Sequence, residues 1–210
     1  MPCTRLLISS TGVRTLVLAL AVAAAASACQ QPDSGAQPGA ARPKGTDQLK
    51  PEYDAAGKLT KLEYDRNNDG KMDAWGYMDG SRIVRIEVDE NSDGTVDRWE
   101  YHKDVPPGST APAGTDPTLD RIERATNFNG TVNRREYFTA GALTKIEEDT
   151  DYNGTVDKWE TYVNGSLSVT AFDTQGRGTP DRRMLYHPDG TFDHVESDPT
   201  GSGTFTRVAP

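Results

Sequence analysis

Polar loops and short apolar segments alternate along the chain from about residue 51 with a nearly constant period. A glycine marks each loop, and successive glycines are 24, 36, 24, 24 and 25 residues apart: Gly70, Gly94, Gly130, Gly154, Gly178 and Gly203. The one long interval equals a period plus 12 residues. A repeated spacing of this size is typical of repeat proteins, so we interpret the region as six copies of one unit.

The segments between the loops favour strands over helices. They are rich in β-branched and aromatic residues, and only about 12 residues separate successive loops, which leaves no room for two helices. Turns such as YMDG (77–80), YVNG (162–165) and YHPDG (186–190) supply hairpin connections. The sequence therefore predicts an all-β fold, an antiparallel meander of tandem 24-residue hairpin repeats with about ten to twelve short strands in one extended or curled sheet.

Alternation along each strand predicts which side chains share a face. Asp97, Trp99 and Tyr101 fall on one side of their strand, and Arg98 and Glu100 fall on the other. In the first strand of most units a glutamate lies two residues before the loop, and a basic residue usually lies two residues before that. We expect these pairs to form a ladder of ion pairs: Lys61 with Glu63, Arg85 with Glu87, Arg121 with Glu123, and Lys145 with Glu147, while Glu196 lacks the basic residue.

The N-terminus has the pattern of an export signal. Arg5 and Arg14 precede the apolar run LVLALAVAAAA (16–26), which is too short for a permanent membrane span. We assign residues 1–28 to the signal peptide, 29–50 to a flexible Pro/Gly-rich linker that begins at Cys29, and 51–210 to the repeat domain. The long interval between repeats predicts a surface loop at about 103–119, where prolines and small residues are frequent.

The motif ASAC (26–29) resembles the lipobox of bacterial lipoproteins, with alanine in place of the usual leucine. This resemblance implies that Cys29 is acylated and becomes the mature N-terminus. Gln30 after the cysteine then implies sorting to the outer membrane, with the domain facing either the periplasm or the cell surface. The alternative is an ordinary cleavage site after ASA, with Cys29 merely following it.

Cysteine usage and charge limit how the exported part can be stabilised. Cys3 leaves with the signal, so Cys29 has no partner for an internal disulfide. Without Arg5 and Arg14, 21 basic residues stand against 32 acidic ones, a net charge of −11. Such a chain is a poor ligand for nucleic acid, and divalent cations would offset its acidic repulsion.

The loops match the EF-hand formula, in which oxygen ligands alternate around a sharp glycine turn. In the stretch EVDENSDGTVDRWEY (87–101), carboxylates or amides occupy positions 1, 3, 5, 9 and 12. The fourth copy matches equally, and the first lacks only the final acid, where Gly76 stands. The predicted calcium ligands are Asp65, Asn67, Asp69 and Asp73; Asp89, Asn91, Asp93, Asp97 and Glu100; and Asp149, Asp151, Asn153, Asp157 and Glu160.

Three other copies are poor metal sites. The third has Ala125 at position 1 and is nearly uncharged, the fifth has Arg177 at position 5, and the sixth keeps little beyond its glycine. Asp, Asn and Gly are also the residues that any tight connection prefers, so the loops have a second interpretation as simple turns. Glu100 likewise has two possible roles, as a calcium ligand or as a member of the ion-pair ladder. We expect structural calcium of modest affinity.

The loops resemble the calcium loops of EF-hand and dockerin proteins, although RWEY rather than a helix follows the loop here. The unit YxxGxLxxxExDxNxDGxxDxWEY is similar to the β-hairpin repeats of bacterial MORN-variant and YD/Rhs-type proteins. Together these resemblances cover residues 51–210. Neither implies a catalysed reaction.

No catalytic motif is present: the histidines lack metal-site spacing, and GxSxG and phosphate-loop motifs are absent from the sequence. We therefore expect a non-enzymatic, lipid-anchored, calcium-binding repeat protein that has a structural or interaction role at the cell envelope. Its partners would be the membrane and an envelope protein or glycan. The alternative is a glycan- or cell-wall-binding module that uses a ladder of aromatic side chains: Trp75, Tyr77, Trp99, Tyr101, Trp159 and Tyr162.

Overall fold

The computed structural model describes residues 48–106, 108–111 and 113–208. The predicted signal peptide, Cys29 and the linker up to residue 47 lie outside the described residues. Within the described ranges the chain is all β and contains no helix long and apolar enough to cross a membrane. The predicted antiparallel meander is confirmed, because every strand pairs with the strands before and after it in a single open sheet.

Thirteen strands make up the sheet. They are β1 (Leu49–Tyr53), β2 (Leu59–Tyr64), β3 (Ala74–Asp79), β4 (Arg82–Val88), β5 (Arg98–His102), β6 (Leu119–Arg124), β7 (Arg134–Thr139), β8 (Ala142–Glu148), β9 (Lys158–Val163), β10 (Ser166–Phe172), β11 (Arg182–Tyr186), β12 (Phe192–Ser197) and β13 (Thr206–Arg207). The sheet begins two residues before the predicted boundary at 51, and the long connection spans 103–118.

The two ends of the sheet are built differently. At one end lie the β1–β2, β3–β4, β5–β6, β7–β8, β9–β10 and β11–β12 connections, and each of these hairpins contains a register shift. At the other end lie the six polar loops, whose hairpins keep an unbroken register. A bulge increases the local right-handed twist, so each repeat adds twist at its turn and leaves the loop end regular.

Two of the short turns, at the end of the sheet with the register shifts, have the backbone conformation of tight hairpins. Ala140 and Gly141 have φ of 49° and 76°, and Asn164 and Gly165 have φ of 51° and 81°. Two consecutive residues with positive φ match the type I′ turn, whose twist suits a two-residue hairpin. The Asn-Gly pair in YVNG is therefore a correct hairpin signal in the sequence.

Little apolar core is present in the sheet. The buried apolar residues are few: Val88, Ile122, Ala125, Ile146 and Ala171. Each described strand comes within 8 Å, between Cα atoms, only of its sheet neighbours. The sheet is thus a single layer, and its side chains must stabilise one another across the strands.

We call the two sides of the sheet the tryptophan face, which carries Trp75, Trp99 and Trp159, and the isoleucine face, which carries Ile86, Ile122 and Ile146. The strand register places isoleucines and glutamates alternately in one row of the isoleucine face, from Ile86 through Glu100, Ile122, Glu136 and Ile146 to Glu160. The next row toward the loops is charged: Arg98, Arg124, Arg134, Glu148 and Lys158.

These charges form one chain of ion pairs across five strands. Arg98 pairs with Glu100, and the remaining links measure 2.8–3.3 Å: Arg98–Glu90, Glu90–Arg124, Arg124–Glu136, Glu136–Arg134, Arg134–Glu148, Glu148–Lys158 and Lys158–Glu160. Isolated surface pairs contribute little, but half-buried charges that share partners form a network. The long aliphatic stems also cover apolar surface next to the buried isoleucines.

Residues at both ends of the 103–118 connection pack back onto the sheet. Lys103 Nζ lies 2.9 Å from Asp120 Oδ1 and donates to the Phe138 carbonyl at 3.5 Å. A Cβ placed on buried Gly141 would lie 2.6 Å from Thr115 Oγ1 and 2.9 Å from the Asp116 carbonyl oxygen. The β7–β8 turn therefore requires glycine for two reasons, its φ and the approach of this connection.

We predict that Gly141→Ala is more destabilising than Gly165→Ala. Both glycines have positive φ, which costs an alanine roughly 1–2 kcal/mol, but nothing lies within 4 Å of a Cβ on Gly165. Urea unfolding of the two variants compares them directly. Equal losses would contradict the packing of the connection on the β7–β8 turn.

Candidate functional site

Six loops form a row along one end of the sheet. We number them loop 1 (65–73), loop 2 (89–97), loop 3 (125–133), loop 4 (149–157), loop 5 (173–181) and loop 6 (198–205), and we number residues within each loop from its first. In each of loops 2 to 6, the backbone N–H of the first residue donates to the backbone carbonyl of the ninth residue of the preceding loop. The donor–acceptor distance is 2.8 Å in all five cases. Because two strands separate successive loops, the row repeats about every 9.6 Å.

The first residue is the centre of each loop. In five loops it is an aspartate whose Oδ2 accepts the N–H of the glycine that makes the sharp turn: Asp65 from Gly70, Asp89 from Gly94, Asp149 from Gly154, Asp173 from Gly178, and Asp198 from Gly203. In loops 1, 2 and 4 its Oδ1 also accepts the fifth-residue N–H, at 3.1–3.3 Å. Each carboxylate thus satisfies amides that the turn leaves unpaired.

The ninth residue closes the loop from the other side. Its side-chain oxygen accepts the second-residue N–H at 2.8–3.2 Å in all five loops that have this position: Asp73, Asp97, Asn133, Asp157 and Asp181. Asn133 also donates from Nδ2 to the Asp149 carbonyl at 3.1 Å, so its side chain joins loop 3 to loop 4. All of these side chains except Asp157 are buried.

The burial of these aspartates was not anticipated from the calcium formula. A signal for it was present in the sequence, because Asp173, Asp181 and Asp198 persist in loops 5 and 6, where the other ligand positions have changed. A carboxylate that survives the loss of its co-ligands has a role that needs no metal. That role is the capping of loop amides.

The third and fifth residues lie at the loop tips. The third-residue Oδ1 accepts the fifth-residue N–H in loops 1, 2 and 4, at 2.9, 3.1 and 3.2 Å. Where one of the two is an amide, it also donates to the neighbouring carboxylate: Asn67 to Asp69, Asn91 to Asp93, and Asn153 to Asp151. These pairs offer exposed oxygens that are already fixed in position.

Loop 4 brings three carboxylates together. One oxygen each from Asp149, Asp151 and Asp157 lies within 4.8 Å of the other two. Among the described residues this is the single acidic or histidine group of three that is so close. Loops 1 and 2 also hold three aspartates each, but their asparagine is the third residue and an aspartate is the fifth, the reverse of loop 4.

The two predicted position-12 ligands lie outside the loops. Glu100 pairs with Arg98, and Glu160 lies 2.8 Å from Lys158 Nζ and accepts the Tyr162 hydroxyl at 2.7 Å. Both glutamates belong to the ion-pair network of the isoleucine face. Burial would raise the pKa of Glu160, but the hydrogen bonds from Lys158 and Tyr162 outweigh burial and lower it. Burial and the bond to Glu160 raise the pKa of Tyr162 to about 12.

The predicted aromatic ladder is interrupted. Trp75, Trp99 and Trp159 share a row of the tryptophan face, but Arg135 and Arg183 take the corresponding places in β7 and β11. Both arginines occupy the tryptophan position of their repeat units in the sequence.

The tyrosines of the ladder are covered or point elsewhere. Arg85 lies 4.2 Å from the ring centre of Tyr77, and Arg121 lies 3.8 Å from that of Tyr101. Their hydroxyls donate to Glu87 at 2.8 Å and Glu123 at 3.2 Å. Tyr162 is on the isoleucine face, because it follows its tryptophan by three positions, whereas Tyr77 and Tyr101 follow theirs by two. Tyr77 and Tyr101 therefore stabilise the predicted ion-pair ladder. The structure confirms this ladder at Lys61–Glu63, Arg85–Glu87, Arg121–Glu123 and Lys145–Glu147.

Comparison with family models finds no match for this chain, and a search of curated proteins finds no similar sequence.

Two loop aspartates, Asp173 and Asp198, predict a loss of stability in acid. Burial raises the pKa of Asp173 and Asp198, but hydrogen bonds from loop amides, and for Asp198 also from Thr200, outweigh burial, so the pKa of both carboxyls is lowered. Their stabilising effect is complete above the ordinary aspartate pKa of about 3.9 and disappears as the pH falls below it.

We expect the melting temperature in EDTA to fall below about pH 4 and to fall less steeply in Asp198→Asn. Asp104→Asn, at a largely exposed side chain outside the loops, serves as the control and should keep the wild-type slope. A wild-type slope in Asp198→Asn would contradict the amide-capping role.

Proposed function

We propose that this chain is an exported, lipid-anchored, calcium-binding β-repeat protein with a structural or interaction role at the cell envelope. The observation that carries the calcium part is the carboxylate triad of loop 4. The export and anchoring part is supported by the sequence pattern that ends at Cys29.

The triad has dimensions that suit calcium. Calcium binds oxygens at about 2.3–2.6 Å, so two ligands on opposite sides of the ion lie up to about 5 Å apart. The triad oxygens are within 4.8 Å of one another. Asp149 is buried, Asp157 is half-buried and Asp151 is exposed, so the group is open on the solvent side, where water can complete the shell.

Calcium would add to loops that are already hydrogen-bonded. Loops 5 and 6 keep the bond from the turn glycine to the first aspartate without a full ligand set. A bound ion would mainly offset repulsion among the carboxylates of loop 4 and, more weakly, of loops 1 and 2. Modest affinity and a modest stabilisation follow from this arrangement.

A scaffold role fits the architecture better than catalysis or glycan binding does. Ion pairs and hydrogen bonds within the sheet involve most of its charged side chains, and equivalent groups recur from repeat to repeat. Arginines cover the rings of Tyr77 and Tyr101, so the aromatic ladder is reduced to three half-buried tryptophans in a row that Arg135 and Arg183 interrupt. The partners we propose are the membrane, through Cys29, and an envelope protein.

Calorimetric titration with Ca²⁺ and thermal unfolding test the calcium proposal. We expect EDTA to lower the melting temperature of the wild type by a few degrees and to have a smaller effect on Asp151→Ala, because Asp151 offers carboxylate oxygens but accepts hydrogen bonds only from Asn153. A 1 kcal/mol stabilisation corresponds to roughly 2–4 °C in a domain of this size.

Asp189→Ala is the matched control, because this aspartate lies in the β11–β12 turn and caps Thr191. It should respond to EDTA as the wild type does. No heat of binding and no shift on chelation in the wild type would overturn the calcium proposal.

A further inference from the structure

The first four strands present a continuous apolar surface on the isoleucine face. Side chains in three rows there include no charged residue. Two rows cross all four strands: Leu49, Tyr64, Ala74 and Val88; and Pro51, Leu62, Gly76 and Ile86. The third row consists of two cross-strand pairs, Tyr53 with Leu59 and Met78 with Ile83. We call these twelve positions the apolar patch.

The fold does not require this composition. In the same rows, β5 to β9 carry the ion-pair network, with Arg98 at the repeat position of Ala74 and Arg124 at the repeat position of Tyr64 and Val88. Repeats with the same backbone therefore differ in what they present on this face. The difference indicates a role specific to the first two hairpins.

Part of the patch is well exposed. Tyr53 is 61% exposed, Leu49 is 39% exposed and Pro51 is also exposed, whereas Val88 is buried and the other members are half-buried. Four strands about 4.8 Å apart and three rows about 6.8 Å apart cover about 400 Å². Patches of this size on a soluble protein commonly mark an interaction site.

The charge distribution isolates the patch from the acidic part of the chain. Residues 48–88 hold 7 basic and 8 acidic side chains, a net charge of −1. Residues 89–210 hold 12 basic and 22 acidic side chains, a net charge of −10. A partner that meets the patch therefore avoids the repulsive two-thirds of the molecule.

We propose that the apolar patch is the surface on which two copies of this chain pack face to face. A two-fold axis places the same surface on both partners, and an uncharged surface is complementary to itself. The acidic parts of the two copies then lie away from the interface. Sheets pack in this way about 10 Å apart, with apolar side chains between them.

Two other ways to cover the patch are less favourable. Residues 30–47 contain no leucine, isoleucine, valine, methionine or aromatic residue, so this preceding segment has little apolar surface to bury. Pairing at the free edge of β1 is disfavoured because Pro51 has no N–H to donate. Face-to-face packing of two copies requires neither apolar residues in the 30–47 segment nor backbone pairing at the edge of β1.

The size of the patch sets the strength of association. Two patches bury about 800 Å² in total, below the 1,200–2,000 Å² of stable complexes. The dimer is therefore weak and forms in proportion to concentration. Formation of the dimer depends on neither calcium nor the acyl group. A failure to observe the dimer is therefore distinguishable from failure of the proposed function.

Sedimentation equilibrium in EDTA, over a range of concentrations, tests the dimer. The protein is the chain from residue 29 with Cys29→Ser, which carries no acyl group and contains every described strand. We expect a monomer–dimer equilibrium in this chain, at least tenfold weaker in Tyr53→Glu and in Leu49→Lys. Tyr152→Glu is the matched control, because Tyr152 is 50% exposed but lies at the tip of loop 4. It should associate as the parent chain does.

In the same experiment, phosphatidylcholine vesicles test the alternative that the patch binds a lipid surface. Circular dichroism first confirms that each variant is folded. A monomer at all concentrations overturns the proposal, as does association that is unchanged in both patch variants. Vesicle binding by a monomer, lost in Tyr53→Glu, also overturns it and assigns the patch to a lipid surface instead.

Discussion

The hydrogen bond from a turn glycine to a buried aspartate is the interaction on which the rest of this structure depends. A meander with six polar loops must turn the chain sharply six times at one end, and each turn leaves backbone N–H groups without partners. The first aspartate of five loops accepts them, and the ninth residue closes the loop from the other side. The backbone bonds from loop to loop then hold the row in register. With the loops fixed, β1 to β12 form six hairpins, each from two strands of similar length.

The sheet itself is stabilised largely without a core. Two sets of cross-strand contacts replace it. One is the ion-pair network on the isoleucine face, and the other consists of the tyrosine, cation and glutamate groups of the tryptophan face. Because these contacts repeat with the strands, the same arrangement tolerates changes in one repeat. Loop 3 shows this tolerance, since Ala125 has replaced the central aspartate and the hairpin persists. It also explains how the first two hairpins could acquire an uncharged face.

Much of the fold was predictable from the sequence, because a fixed period and strand alternation are local properties. The meander, the two faces and the Lys/Arg–Glu ladder all followed from residue spacing. The role of Glu100 did not, because a glutamate three residues into a strand fits both a calcium shell and an ion pair until its neighbours are placed. Tyr162 was grouped with the wrong face because one extra residue, Thr161, reverses its side. The contact of the 103–118 connection with Gly141 joins residues of different repeats, which spacing alone cannot reveal.

Amide hydrogen exchange of the loop glycines in EDTA tests the central claim most directly. The N–H groups of Gly70, Gly94, Gly154, Gly178 and Gly203 each donate to a buried aspartate, so we predict slow exchange at all five. Gly130 occupies the same place in loop 3, where Ala125 offers no carboxylate, and its N–H should exchange much faster. Equal protection of Gly130 and Gly94, or rapid exchange at all six, would contradict the account.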